Sequence, residues 1–187
     1  IVDSGVLTVT GTSSFTTSQN NADITLNNTN VLTGTVALNT TGSSGNALVD
    51  NGTTALNLAA SSVGGNLTLT SGHASGIIDS GLVTVGGNLV ATTDASSGVI
   101  TLDNLAVDGA FTLTPNSAGA VTIVNDAGLT LAASTMGGTF SGTATAGNIT
   151  QTGTLAITGT TTLVASENNA TITLTDTSNK FGDTGVG

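Results

Sequence analysis

Residues 1–9 read IVDSGVLTV and residues 77–85 read IIDSGLVTV. A looser version, ITQTGTLAI, occupies residues 149–157. The three copies start 76 and then 72 residues apart, and the likeness runs beyond them. ADITLNN (22–28) answers GVITLDN (98–104) and ATITLTD (170–176), and LNLAASSVGG (56–65) answers LTLAASTMGG (129–138). Self-similarity at a fixed long period is the mark of an array in which each unit buries its apolar face only against its neighbours. The chain therefore divides into blocks 1–76, 77–148 and a partial 149–187, read together as one segment, 1–187.

Each block divides again. Block two splits into IIDSGLVTVGGNLVATTDASSG, VITLDNLAVDGAFTLTPNSAGA and VTIVNDAGLTLAASTMGGTFSGTATAG. Each piece holds about three short runs of alternating apolar and polar residues, separated by Gly, Asn, Asp or Ser. Alternation with period two marks half-buried strands, and the separators are turn formers. The residues that usually cover helix surfaces, Glu, Lys, Arg and Gln, are nearly missing. The reading is an all-β chain: a right-handed parallel β-helix of about eight coils. Each coil takes roughly 20–28 residues and three short strands, with coils about 4.8 Å apart and a rod roughly 35–40 Å long. A β-sandwich would alternate too, but it gives no reason for repeats at both scales.

The expected inward ladders join equivalent residues of the three blocks. Leu7 and Val9 align with Val83 and Val85 and with Leu155 and Ile157. Ile24 and Leu26 align with Ile100 and Leu102 and with Ile172 and Leu174, and Phe15 with Ala91 and Leu163. Thr8, Thr84 and Ala156, and Thr25, Thr101 and Thr173, are expected to face outward, where β-branched Thr suits a strand surface. On this reading the repeated nonamer is one corner and one strand of a coil type that returns every third coil. Gly5, Gly81 and Gly153 sit at that corner, where a turn calls for positive φ.

Composition narrows the function. Charged residues are 6% and apolar residues 37%, with a mean hydropathy of +0.33, the reverse of a disordered chain. Eleven acids, ten of them Asp, face one base, Lys180, for a net charge of −10. That balance argues against nucleic acid and anionic membrane surfaces, which need cations on the protein. No apolar run reaches the length of a membrane-spanning helix. Cysteine is absent, so disulfides and thiolate chemistry are excluded. No signal peptide or initiator Met is evident, and Ile1 already lies inside a repeat. The chain reads as a piece of something longer or a processed subunit.

Runs such as GNLTLTSG (65–72), GNITQTGTLAITGTTTLVA (147–165) and ATITLTDTSNKFGDTGVG (170–187) resemble the repeats of large filamentous-haemagglutinin-like adhesins. The resemblance covers nearly the whole chain and lies in phrases of the type G-N-[IL]-T. It implies long right-handed β-helices at the bacterial surface that act as stalks, adhesins or biofilm-matrix fibres.

No residue is assigned a catalytic, cofactor-binding or metal-binding role. Polysaccharide-cleaving β-helices need clustered acids or a base beside acids, and Lys180 has no bracketing acid pair, so it reads as a solvated loop residue. His73, in TSGHASG, reads as part of a turn. Asp3 and Asp79 share a corner where the third copy has Gln151. Asp103 and Asp176 follow the Ile-Thr-Leu strand where the first copy has Asn27 and Asn28. These are expected to cap backbone groups, as Asp and Asn do at turns. ASSVGG and ASTMGG lack the partners of a Ser nucleophile. The T-x-T runs at 8–10, 68–70, 112–114 and 171–173 raise an ice-binding face, but they are expected at different corners. The expected function is a structural, non-enzymatic extracellular fibre or stalk of a bacterial surface adhesin or matrix filament. The expected partners are further copies, or a continuation, of the same rod, with a host or matrix polysaccharide as second candidate. The alternative is a carbohydrate-active, carbohydrate-binding or ice-binding β-helix.

Overall fold

The computed structural model describes residues 1–182, and within them every regular element is a β-strand. Every strand pairing is parallel, and paired residues lie 19 to 24 positions apart, one turn of a solenoid. The result is a β-solenoid of about eight turns.

Each turn has two sides. The first is the eight-stranded sheet that runs from Ile24–Leu26 to Ile172–Thr173, flanked by short pairs such as Thr8–Val9 with Val31–Leu32. The second is the ten-stranded sheet that runs from Ser13–Asn20 to Thr161–Ala165. A side is either one unbroken strand, such as Leu67–Ser71, or is broken by a bend into two, such as Leu129–Leu131 and Ser134–Met136. In Ile100–Val107 the break is a register shift between Leu102 and Leu105, with Asp103 and Asn104 turned to solvent.

Along block one the sides run broken (2–9), unbroken (13–20), broken (24–32), unbroken (35–41), unbroken (47–50), broken (56–63), unbroken (67–71). Block two repeats the same seven: 77–85, 89–93, 100–107, 110–114, 121–125, 129–136 and 140–144. Block three opens in the same way with 149–157, 161–165 and 172–181. Seven sides make three and a half turns. Successive blocks therefore begin on opposite sides of the rod, Ile77 on the second sheet and Ile149 on the first.

This corrects the expected ladders. Val83 and Val85 stack on Ser61 and Val63 and beneath Leu105 and Val107, while Leu155 and Ile157 stack on Ser134 and Met136. Ile24 and Leu26 stack with Ala47 and Val49, Ile100 with Ile77 and Val121, and Ile172 with Ile149. Phe15 stacks with Leu38, Ala91 with Leu69 and Leu113, and Leu163 with Gly142. The aligned residues hold equivalent places three and a half turns apart, on opposite sides of the rod, and no coil type returns every third coil. Most turns have three strands, but where two unbroken sides follow one another, Thr35–Thr41 with Ala47–Asp50 and Ala110–Thr114 with Val121–Asn125, the turn has two.

Inward positions form one continuous core in which Phe111, Phe140, Leu67, Leu89 and Ile100 are fully buried. Full burial of such side chains stabilises the fold by roughly 1.5–3 kcal/mol each. At the two extreme turns the ladder thins: Leu7, Val9, Phe15, Leu163 and Leu174 are half-buried and Ile172 is exposed. The glycine corner also differs from expectation, since Gly5, Gly81 and Gly153 are not among the glycines of positive φ. A Cβ on Gly81 would lie 2.6 Å from the Ala60 nitrogen, and one on Gly153 2.5 Å from that of Ala133. Close approach of the turn beneath, not φ, requires glycine there; at Gly5 the space is open.

Candidate functional site

A two-sided solenoid has a hydrogen-bonding problem wherever a side changes between broken and unbroken. The bend moves backbone groups out of line, so a donor in the neighbouring strand loses its carbonyl, and a buried unpaired N–H costs about 1–3 kcal/mol. Among the described residues four such changes occur, and each is repaired by one polar side chain. Where an unbroken strand lies under a broken one, serine serves. Leu38 N–H donates to Ser61 Oγ at 3.0 Å, and Leu113 N–H to Ser134 Oγ at 3.0 Å. Where a broken side lies under an unbroken one, asparagine serves. Leu32 N–H donates to Asn51 Oδ1 at 2.9 Å, while Asn51 Nδ2 donates to the carbonyls of Leu32 and Ala55. Asn125 repeats this on the opposite side with Val107 and Gly128. All four side chains are buried. Reading the sequence assigned ASSVGG and ASTMGG a structural role but missed Asn51 and Asn125, because asparagine in such a chain looks like one more turn former.

The corner acids cap backbone, as expected. Asp3 accepts the N–H groups of Asn27 and Asn28, and Asp79 those of Asp103 and Asn104, all at 3.0–3.2 Å. Burial penalises the Asp3 carboxylate, but the Asn30 amide and the N–H groups of Asn28 and Asn27 outweigh it and hold its pKa below the usual value. Burial pushes Asp79 up, with the Asp103 charge adding to it, and two N–H donors offset this only in part. In the third copy Gln151 exchanges amide hydrogen bonds with Asn179, and Asp176 accepts from Ser178 N–H and the Thr154 hydroxyl, which lowers its pKa. The buried Asn30, which takes the Leu7 N–H, was also missed. The asparagine of the G-N phrases has its own task. Asn46, Asn66 and Asn88 each accept the N–H at the start of the next turn's strand at 2.8 Å, a ladder up the first sheet.

The other singled-out residues are scattered. His73 lies in an exposed turn, and its Nδ1 accepts the Ser75 N–H. Lys180 lies in the strand Lys180–Phe181 paired with Ala156, not in a loop. Among the described residues, no group of three His, Cys, Asp or Glu comes together as metal ligands would. Shallow grooves open beside two of the changes of side, one flanked by Asp50 and Asp94 and the other by Asp103 and Asp126. One threonine expectation is overturned: the runs at 68–70 and 112–114 share a sheet and a register. Thr68, Val90 and Thr112 form one column, and Thr70, Thr92 and Thr114 the next.

An all-parallel stack whose polar residues mostly serve its own backbone is a β-helix repeat protein. The chain belongs to the family described as repeats of unknown function (DUF5649), whose profile matches residues 1–39, 44–117 and 118–186. The last two matches begin just before equivalent unbroken strands, Ala47–Asp50 and Val121–Asn125, on opposite sides of the rod. No curated protein and no solved structure matches the chain.

Proposed function

We propose that the chain is a structural, non-enzymatic segment of an extracellular fibre or stalk, of the kind that bacterial surface adhesins and biofilm-matrix filaments use. The observation that carries this reading is where the conspicuous polar side chains are spent. Asn51, Asn125, Ser61, Ser134, Asp3 and Asp79 all bond to backbone of an adjacent turn, so they serve length and stiffness. Repeats tiled along one axis suit a rod whose partner is more of the same rod, by continuation or by stacking. The net charge of −10 disfavours nucleic acid and anionic membranes as partners. Electron microscopy of native material, paired with its intact mass, tests the reading. Filaments are expected, and discrete short monomers would overturn it.

The in-register threonines favour one second reading, a face that binds ice or carbohydrate. Thermal hysteresis and glycan-array binding of the chain test it; inertness in both sinks it.

A further inference from the structure

We propose that Asn51 is a deamidation site that the folded solenoid holds inert and that unfolding releases, so that a chain once opened loses the ability to rebuild its first change of side. Asn51–Gly52 is the one Asn-Gly pair in the sequence. Glycine offers no side chain to hinder attack by its own nitrogen on the preceding carboxamide. The Gly52 nitrogen bonds to Asn51 Cγ, the Cγ–Nδ2 bond breaks and ammonia leaves. Water then opens the cyclic imide to aspartate or isoaspartate. The net change is amide plus water to acid plus ammonia.

In the fold both partners are tied down. Asn51 is 0% exposed. Its Oδ1 accepts from Leu32 N–H at 2.9 Å, and its Nδ2 donates to Leu32 O at 3.0 Å and Ala55 O at 2.8 Å. The attacking N–H of Gly52 is held by Asp50 Oδ1 at 2.8 Å. The reaction needs the carboxamide to turn toward Gly52, and three hydrogen bonds oppose that. The product is as badly placed as the reactant is well placed. An acid at 51 turns an oxygen toward two carbonyls that had received hydrogens, and buries a charge with no cation beside it. Isoaspartate also lengthens the main chain inside a packed rung. Asn125, which makes the same bonds three and a half turns away, is followed by Asp126 and lacks this lability.

The test holds the full chain in mildly alkaline buffer with and without unfolding urea, and follows the peptide containing residue 51 by mass and isoaspartate content. Conversion is expected to be at least about tenfold faster in urea, because the folded reaction waits on opening of a buried rung. After urea is removed, converted chains are expected not to regain the cooperative melt of unconverted ones. Gly52→Ala is expected to slow conversion in urea, where folding plays no part. Equal rates with and without urea, converted chains that melt like the original, or a Gly52→Ala chain that converts as fast, would each overturn the proposal.

Discussion

Leu113 donates its N–H to a serine hydroxyl because the strand above it bends away, and Val107 donates to an asparagine because the strand above it does not. These single bonds decide whether a side can change, so they are the sensitive positions. Asn125→Ala leaves Val107 N–H and two carbonyls without their partner and is expected to cost about 3 kcal/mol, read from urea unfolding. Asn88→Ala removes an exposed rung of the asparagine ladder and is expected to cost less than about 1 kcal/mol. The corner carboxylates of two copies are shifted in opposite directions. Asp3 titrates below its usual value, so its contribution to stability is present above that value and lost as pH falls through the folded pKa. Asp79 titrates above its usual value, so its contribution is present below that value and lost as pH rises through the folded pKa. Asp103→Asn removes the like charge while keeping the N–H donor, so the Asp79 midpoint should fall and that of Asp3 should stay. Carboxyl-carbon NMR titration checks both.

At the scale of the element, the unit of construction is a side and not a coil. Removing 67–88 takes out one unbroken side and one broken side together. It leaves Ala47–Asp50 beneath Leu89–Thr93 and Ser61–Val63 beneath Leu105, like upon like. That deletion is expected to fold and melt cooperatively. Removing 77–88 alone deletes one side and turns everything after it by half a turn, which sets broken 56–63 beneath unbroken 89–93 and unbroken 67–71 beneath broken 100–107, two changes of side with no serine or asparagine placed to repair them; circular dichroism is expected to show no cooperative melt. Gly81→Ala must displace the Ala60 backbone and is expected to cost more than about 1 kcal/mol, whereas Gly5→Ala, facing open space, is expected to be silent.

For the whole molecule, strands and solenoid were legible because period-two alternation and turn residues report local geometry directly. The corner caps at Asp3 and Asp79 were legible because short polar side chains at turns have few other uses. The half-turn was not legible. A sequence period of 72–76 residues gives the length of a block but not how many turns that length makes, since broken and unbroken sides read alike as short alternating runs. Asn51 and Asn125 were hidden because their partners lie 18 or 19 residues away, across a turn whose length was not yet known. The same ambiguity placed the threonine runs at 68–70 and 112–114 at different corners. The half-turn is the claim on which the rest depends, and it is open to a direct distance measurement, since the chain lacks cysteine and takes spin labels cleanly at chosen pairs. Thr84 and Ala156 are equivalent residues placed on opposite sides, whereas Thr84 and Val164 share a side. Dipolar spectroscopy is predicted to give a longer Thr84–Ala156 distance than Thr84–Val164, although the first pair is half a turn closer along the axis. A shorter Thr84–Ala156 distance would mean whole-number turns per block and would contradict the account.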